Sequence, residues 1–147
     1  MDDIIVRVLE KIKPVSPILI EGLPGVGNVG KLAAEHLIDE TKAKKVIEIY
    51  SAHFPPQVLV DDAGLIKLVN NEIYHVERKD GDLLILVGDY QGTSAEGQYM
   101  LSHKIIEIAR DFGVKMIFTL GGYGVGRLVS EPRVLGAATS PELVKKM

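Results

Sequence analysis

The chain has no cysteine and no tryptophan in 147 residues, and only 5% of it is aromatic. Without cysteine there is no disulfide framework, no thiolate ligand for a metal and no thiol nucleophile. The four histidines, His36, His53, His75 and His103, stand too far apart for any metal-ligand spacing, so no metal is expected. Basic charge is also short: 17 Lys and Arg against 20 Asp and Glu leave a net charge of −3. A protein without a basic face is not a general nucleic-acid binder. No apolar run approaches the roughly 18 residues of a membrane span. The opening "MDDIIVRVLEKIK" is acidic and lacks the basic region that begins a signal peptide. These absences point to a cytoplasmic protein without nucleic-acid or membrane partners. Catalytic signatures are missing too, with neither a G-x-S-x-G elbow nor a carboxylate pair beside a base. No catalytic residue and no cofactor is therefore expected.

What is present suits one α/β domain over residues 1–147, with 46% apolar residues to build a core. Residues 4–8 alternate, with Ile4, Val6 and Val8 on one side, and read as an edge strand. "PILIE" (17–21) is a buried strand, and "VGKLAAEHLIDE" (29–40) is a helix whose apolar face would carry Val29, Leu32, Ala33, His36 and Leu37. That places His36 in the core, with Asn28 as the helix N-cap. "KVIEIYS" (45–51) is the next strand. "QVLVD" and "LIKLVNNEIYHVE" follow as extended segments around the turn "DAG", with His75 alternating inside the second. "LLILVGD" (83–89) is apolar on both faces and reads as a central strand. A second helix would be opened by a Thr93–Glu96 capping box. Its stripe is Leu101, Ile105, Ile108, Ala109 and Phe112, with Gly113 as the stop and His103 on the exposed side. "KMIFTL" (115–120) is another buried strand and "RVLGAAT" (133–139) a further one. Ser140 and Pro141 then begin a helix that reaches Met147 after two apolar residues. So short a helix buries little, so a C-terminally incomplete domain is expected.

Two glycine loops are the candidate ligand features. "GLPGVGNVGK" (22–31) satisfies G-x-G-x-x-G through Gly25, Gly27 and Gly30, and G-x-x-x-x-G-K through Lys31. A P-loop needs Ser or Thr after the lysine to ligate magnesium, and Leu32 stands there. The dinucleotide reading has Glu48 near the ribose-binding position. It lacks the next crossover helix, because Pro55-Pro56 and a meander follow. Two readings stay open: a sharp strand-to-helix turn, or an anion site at the helix N-terminus. The second loop, "GGYGVG" (121–126), also follows a strand, and open α/β sheets take ligands at that edge. Gly25, Gly27, Asn28, Gly30, Gly122, Tyr123, Arg127 and His53 are the candidate anion or ligand set.

Four blocks taken in order, "ILIEGLPGVGNVGKLAAEHLI", "YSAHFPPQV", "LLILVGDYQGTSAEGQY" and "TLGGYGVGRLVSEPRVLGAAT", resemble the archaeal branch of the proteasome assembly chaperone family. The resemblance covers about Ile18 to Thr139. It implies a three-layer α/β/α sandwich with a mixed sheet, similar to nucleoside phosphorylases. It also implies a homo-oligomer that binds proteasome α subunits and promotes assembly of the 20S core, without catalysis. Such chaperones end in a flexible tail whose hydrophobic residue–tyrosine–any residue terminus docks into the α-ring. Here the last three residues are Lys145, Lys146 and Met147; an incomplete chain would keep most of the core and lack the docking element, whereas a natural end would put docking by that route in doubt. The alternative is a phosphorylase-like enzyme or a sensor of phosphate or a nucleoside phosphate, built on the two glycine loops.

Overall fold

The structure is a computed structural model that describes residues 3–147. Among these, six strands form one mixed sheet in the order β1 (Ile4–Val8), β3 (Lys44–Ser51), β6 (Asn71–Val76), β7 (Leu83–Gly88), β2 (Ile18–Gly22) and β8 (Ile117–Thr119). β2 runs parallel to β7 and β8, while β6 is antiparallel to both β3 and β7, and β1 is antiparallel to β3. It follows that β2, β3, β7 and β8 all end at the same edge. β4 (Val58–Val60) and β5 (Ile66–Leu68) form a separate antiparallel hairpin between β3 and β6.

The six residues of β7 are all buried, as a strand covered on both faces must be. Its side chains alternate between two cores. Leu84 and Leu86 join Leu19, Ile73 and the stripe of α2 (Ala95–Asp111), whereas Leu83, Ile85 and Val87 pack beneath Ala34 of α1 (Val29–Thr41). The helices therefore cover opposite faces, which gives the three layers expected.

The second helix follows its sequence pattern. Leu101, Ile105 and Ala109 are buried, Ile108 and Phe112 pack at the margin, His103 is exposed, and Gly113 adopts φ +75°. Its cap differs. Ser94 is the N-cap, with Oγ accepting from the Gly97 N–H at 3.0 Å. Thr93 instead donates its hydroxyl to the His53 carbonyl at 2.9 Å, so the Thr93–Glu96 capping box does not form.

The first helix corrects the sequence reading more strongly. Its buried residues are Gly30 and Ala34, with Leu37 and Ile38 packed beside them. Val29, Leu32, Ala33 and His36 face water, so His36 is not a core histidine. The cause is close approach. A Cβ on Gly22 would run into the Gly30 carbonyl and the Ala34 methyl, so the small residues form the contact face and the bulky ones turn outward.

Three further expectations change. "LIKLVNNEIYHVE" splits into β5 and β6. "KMIFTL" gives only the three-residue β8, an edge strand with exposed Ile117 and Phe118. "RVLGAAT" forms no strand, and its residues are exposed. The expected end helix is present as α3 (Pro141–Val144), capped by Ser140 Oγ accepting from the Leu143 N–H.

Candidate functional site

The shared carboxyl edge of β2, β3, β7 and β8 collects every loop the sequence singles out. These loops are tied to one another. After β2, the Pro24 carbonyl accepts from Gln91 Nε2 at 2.5 Å, joining it to the loop after β7. After β3, the His53 carbonyl accepts from both the N–H and the hydroxyl of Thr93. Gln98, in the first turn of α2, accepts from the Gly92 N–H at 2.8 Å and donates to Gln91 Oε1 at 3.2 Å.

The two glycine loops meet backbone to backbone. A Cβ on Gly30 would collide with the Leu120 carbonyl, and one on Gly122 with the Val26 carbonyl. Gly27 takes φ +62° within the short 3-10 turn Val26–Asn28, a left-handed conformation that costs a residue with a side chain about 1–2 kcal/mol. Gly25 is extended and has open space around it. Asn28 has φ +51° and makes no side-chain capping bond. Asn28 thus holds the expected N-cap position, but without the side-chain bond expected of it. Tyr123 is largely exposed and Arg127 is exposed. His53 packs against Gly97 of α2, on the layer opposite the helix that follows the first glycine loop.

Glu48 is occupied. Lys45 Nζ donates to Glu48 Oε1 at 3.0 Å and to Glu72 Oε1 at 3.1 Å, Tyr50 donates to Glu48 Oε2 at 3.1 Å, and Arg7 donates to the same oxygen at 3.4 Å. Burial pushes the Glu48 carboxyl up, but the bonds from Lys45 and Tyr50 and the charges of Lys45 and Arg7 outweigh it and hold it below the usual range. Glu48 and Glu72 stand directly opposite on β3 and β6, and the shared lysine offsets their repulsion. A carboxylate so engaged is not free to bind a ribose, which removes the last support for the dinucleotide reading.

Several residues at this edge escaped the sequence reading. Asn71 is fully buried. With its amide oriented to satisfy both ends, its nitrogen donates to the carbonyls of Tyr90 and Asn70. Asn70 N–H donates to Asp89 at 3.2 Å, while Asn70 Oδ1 and His53 Nε2 are buried with no partner among the described residues. Glu21 lines a cavity of about 340 Å³ with Asn71, Gln98 and Thr119. Burial pushes its carboxyl above the usual range, partly opposed by the Leu23 N–H. Adjacent polar residues at a strand start, "NN", were the available signal. At the opposite end of the sheet, His75 Nε2 and Asp82 Oδ2 lie 2.8 Å apart and both are nearly buried. Among the described residues, no group of three or more His, Asp or Glu is placed to hold a metal ion. No helix among them is long and apolar enough to cross a membrane.

Residues 19–147 match the PAC2 family. The chain belongs to the PAC2 family. The resemblance drawn from the four sequence blocks holds, and the mixed α/β sheet is that of PAC2 proteins. A relative, an uncharacterized protein of Methanocaldococcus jannaschii, is 45% identical over the whole of this chain and 57% of its own length. The crystal structure of Pyrococcus furiosus PbaB, described as an archaeal proteasome activator, is 43% identical. It superposes with a TM-score of 0.95 over 99% of this chain and 62% of PbaB. P. furiosus PbaA, described as an archaeal homolog of proteasome-assembly chaperone, shares the fold at a TM-score of 0.64 and 21% identity, over 86% of this chain and 52% of PbaA. This PAC2 chain thus spans roughly three-fifths of the length of its first two relatives.

Proposed function

We propose that this PAC2 chain is a chaperone or adaptor of proteasome assembly. It acts as a cytoplasmic homo-oligomer that binds α subunits and promotes formation of the 20S core, without catalysing a reaction. One observation carries this reading: the near-complete superposition on PbaB at 43% identity. The packing of the carboxyl edge supports it. Where an enzyme of this architecture would open a crevice, the two glycine loops are pressed together through their backbones, which suits a rigid scaffold better than a ligand cleft.

The test is co-expression with the α subunits of a 20S proteasome, followed by affinity capture and native mass spectrometry. The expected result is a defined complex of this chain with α subunits, and a higher yield of assembled rings than α subunits give alone. If α subunits neither associate with the chain nor assemble differently in its presence, the proposal is wrong.

A further inference from the structure

β2 and β7 are parallel neighbours in the sheet, yet the chain leaves them toward opposite faces. β2 leads into α1, which packs over Ile85 and Val87, and β7 leads into α2, which packs over Leu84 and Leu86. Loops that part in this way leave a crevice between them, the place where open α/β sheets hold ligands. The glycine loops fill its α1 side, where Leu120 meets Gly30 and Val26 meets Gly122. The α2 side stays open. There the cavity of about 340 Å³ that contains Glu21 is also walled by Leu23, after β2, and Gln91, after β7. Its volume falls within the ~300–1,000 Å³ of small-molecule sites.

The lining carries charge of one sign. Among the described residues that border the cavity, Glu21 is ionisable and none is Lys, Arg or His. Four carboxylates elsewhere along the sheet each meet a basic side chain: Glu48 and Glu72 meet Lys45, Asp82 meets His75 and Asp89 meets Lys67. Glu21 instead accepts from the Leu23 N–H at 3.3 Å, which leaves most of a carboxylate's roughly four acceptor positions unused. Thr119 stands directly beside it in the β2–β8 register, and Ser102 of α2 lines the same cavity. Much of the remaining wall is aliphatic, built from Leu101, Ile105, Ile106 and Ile117.

We propose that this cavity binds a small primary aliphatic amine, with its ammonium on Glu21, Thr119 and Ser102 and its alkyl stem along Ile105, Ile106 and Ile117. Each part of the lining selects for that chemistry. A carboxylate with no basic group beside it repels phosphates and carboxylates and attracts a cation. An ammonium carries three N–H donors, equal in number to the Glu21 carboxylate and the two hydroxyls. No aromatic ring borders the cavity, so the cage that recognises a quaternary ammonium is missing, and the aliphatic wall suits a saturated stem. A metal ion fits less well, because the described residues form no group of three His, Asp or Glu ligands. A bound ammonium gives Glu21 the kind of partner that the other four carboxylates already have. The site is independent of the chaperone reading.

The test is a titration of the full, isotope-labelled chain with hexylamine at neutral pH, followed by amide NMR. Hexylamine is taken to about 20 mM, well past the roughly millimolar affinity open to so small a ligand. Saturable shifts centred on Glu21, Ser102 and Thr119 are expected. Hexanol, with the same stem and no charge, should bind at least about tenfold more weakly, because hydrogen bonds to charged groups are the stronger ones. Hexanoate should bind more weakly still. Glu21→Gln keeps an acceptor for the Leu23 N–H and should weaken hexylamine about tenfold while leaving hexanol unchanged. Thr119→Val, on the exposed edge strand, should repeat that split at about threefold and does not depend on how Glu21→Gln folds. Ile106→Ala should instead weaken hexylamine and hexanol alike, by about fivefold. Four results would each overturn the proposal: no saturable shift, shifts centred away from Glu21, hexanol or hexanoate binding as tightly as the amine, or an amine affinity indifferent to both Glu21→Gln and Thr119→Val. The titration contains no proteasome subunit, so its failure and the failure of the chaperone reading are separately visible.

Discussion

The three glycines of G-x-G-x-x-G are predicted to respond unequally to alanine, in an order fixed by their geometry. A glycine inside an exposed helix normally gains about 1 kcal/mol on replacement by alanine. Gly30 should do the opposite. Its new methyl would meet the Leu120 carbonyl oxygen and carbon, with the Gly121 nitrogen behind at 3.1 Å. No rotamer relieves a clash with backbone. Leu120 is anchored by its N–H to the Glu21 carbonyl at 2.8 Å, so α1 must lift by about 1 Å, opening the contact beneath Ala34. Overpacking of this kind costs about 3 kcal/mol at its upper range. Less the propensity gain, the net loss is about 2 kcal/mol, a fall in Tm of about 6 °C for a domain of this size. Gly27→Ala should cost about 1 kcal/mol for its left-handed backbone. Gly25→Ala, with nothing near its Cβ position, should fall within about 0.5 kcal/mol of the parent. Differential scanning calorimetry of the three variants decides the matter. A raised Tm for Gly30→Ala, or a loss at Gly25 equal to that at Gly30, would refute the close-approach argument.

Two other perturbations follow from named contacts. Asp82→Asn should destabilise by about 2 kcal/mol at neutral pH, because a buried carboxylate that accepts from the Val15 and Arg78 N–H groups and faces His75 is lost. Burial pushes the Asp82 carboxyl up, but the His75 and backbone bonds outweigh this and hold it below its ordinary value of 3.8. Its contribution is therefore complete above about pH 4 and disappears as the pH falls toward the lower folded value; urea melts should show this acid limb, flattened in Asp82→Asn. At the start of α2, Ser94→Ala should cost about 1 kcal/mol by chemical denaturation, whereas Thr93→Ser, which keeps the hydroxyl donor to the His53 carbonyl, should cost less.

What was legible in the sequence was whatever bulk apolar pattern alone decides. β7 could be placed at the centre because six consecutive residues with no polar side chain need cover on both faces. The stripe of α2 was equally plain, since its large residues recur at helical spacing and are the ones buried. α1 was misread for the same reason. A pattern that weighs size chose Val29 and Leu32, while the sheet contact was made by Gly30 and Ala34, which let the helix sit close. "KMIFTL" carries four large apolar residues, Met116, Ile117, Phe118 and Leu120, yet β8 is an exposed edge. Composition states that a strand would gain from cover, and strand order, set by contacts distant in sequence, determines where it lies. The burial of Asn70 and Asn71 belongs to the same class of long-range facts.

The candidate site shows why a glycine motif is weak evidence for a nucleotide. G-x-G-x-x-G records that a backbone must turn and be approached closely; it does not record by what. In a dinucleotide fold the approaching group is a pyrophosphate. Here the third glycine of the motif, Gly30, is approached by the Leu120 carbonyl, and Gly122 of the second loop by Val26, while Gly25 and Gly27 have no distant part of the chain against them. The acid at the expected spacing, Glu48, is held instead by Lys45, Tyr50 and Arg7. The same local geometry thus joins two loops of a scaffold where another protein would close around a ligand. The alanine series separates these uses, because a methyl at Gly30 then damages folding with no ligand present.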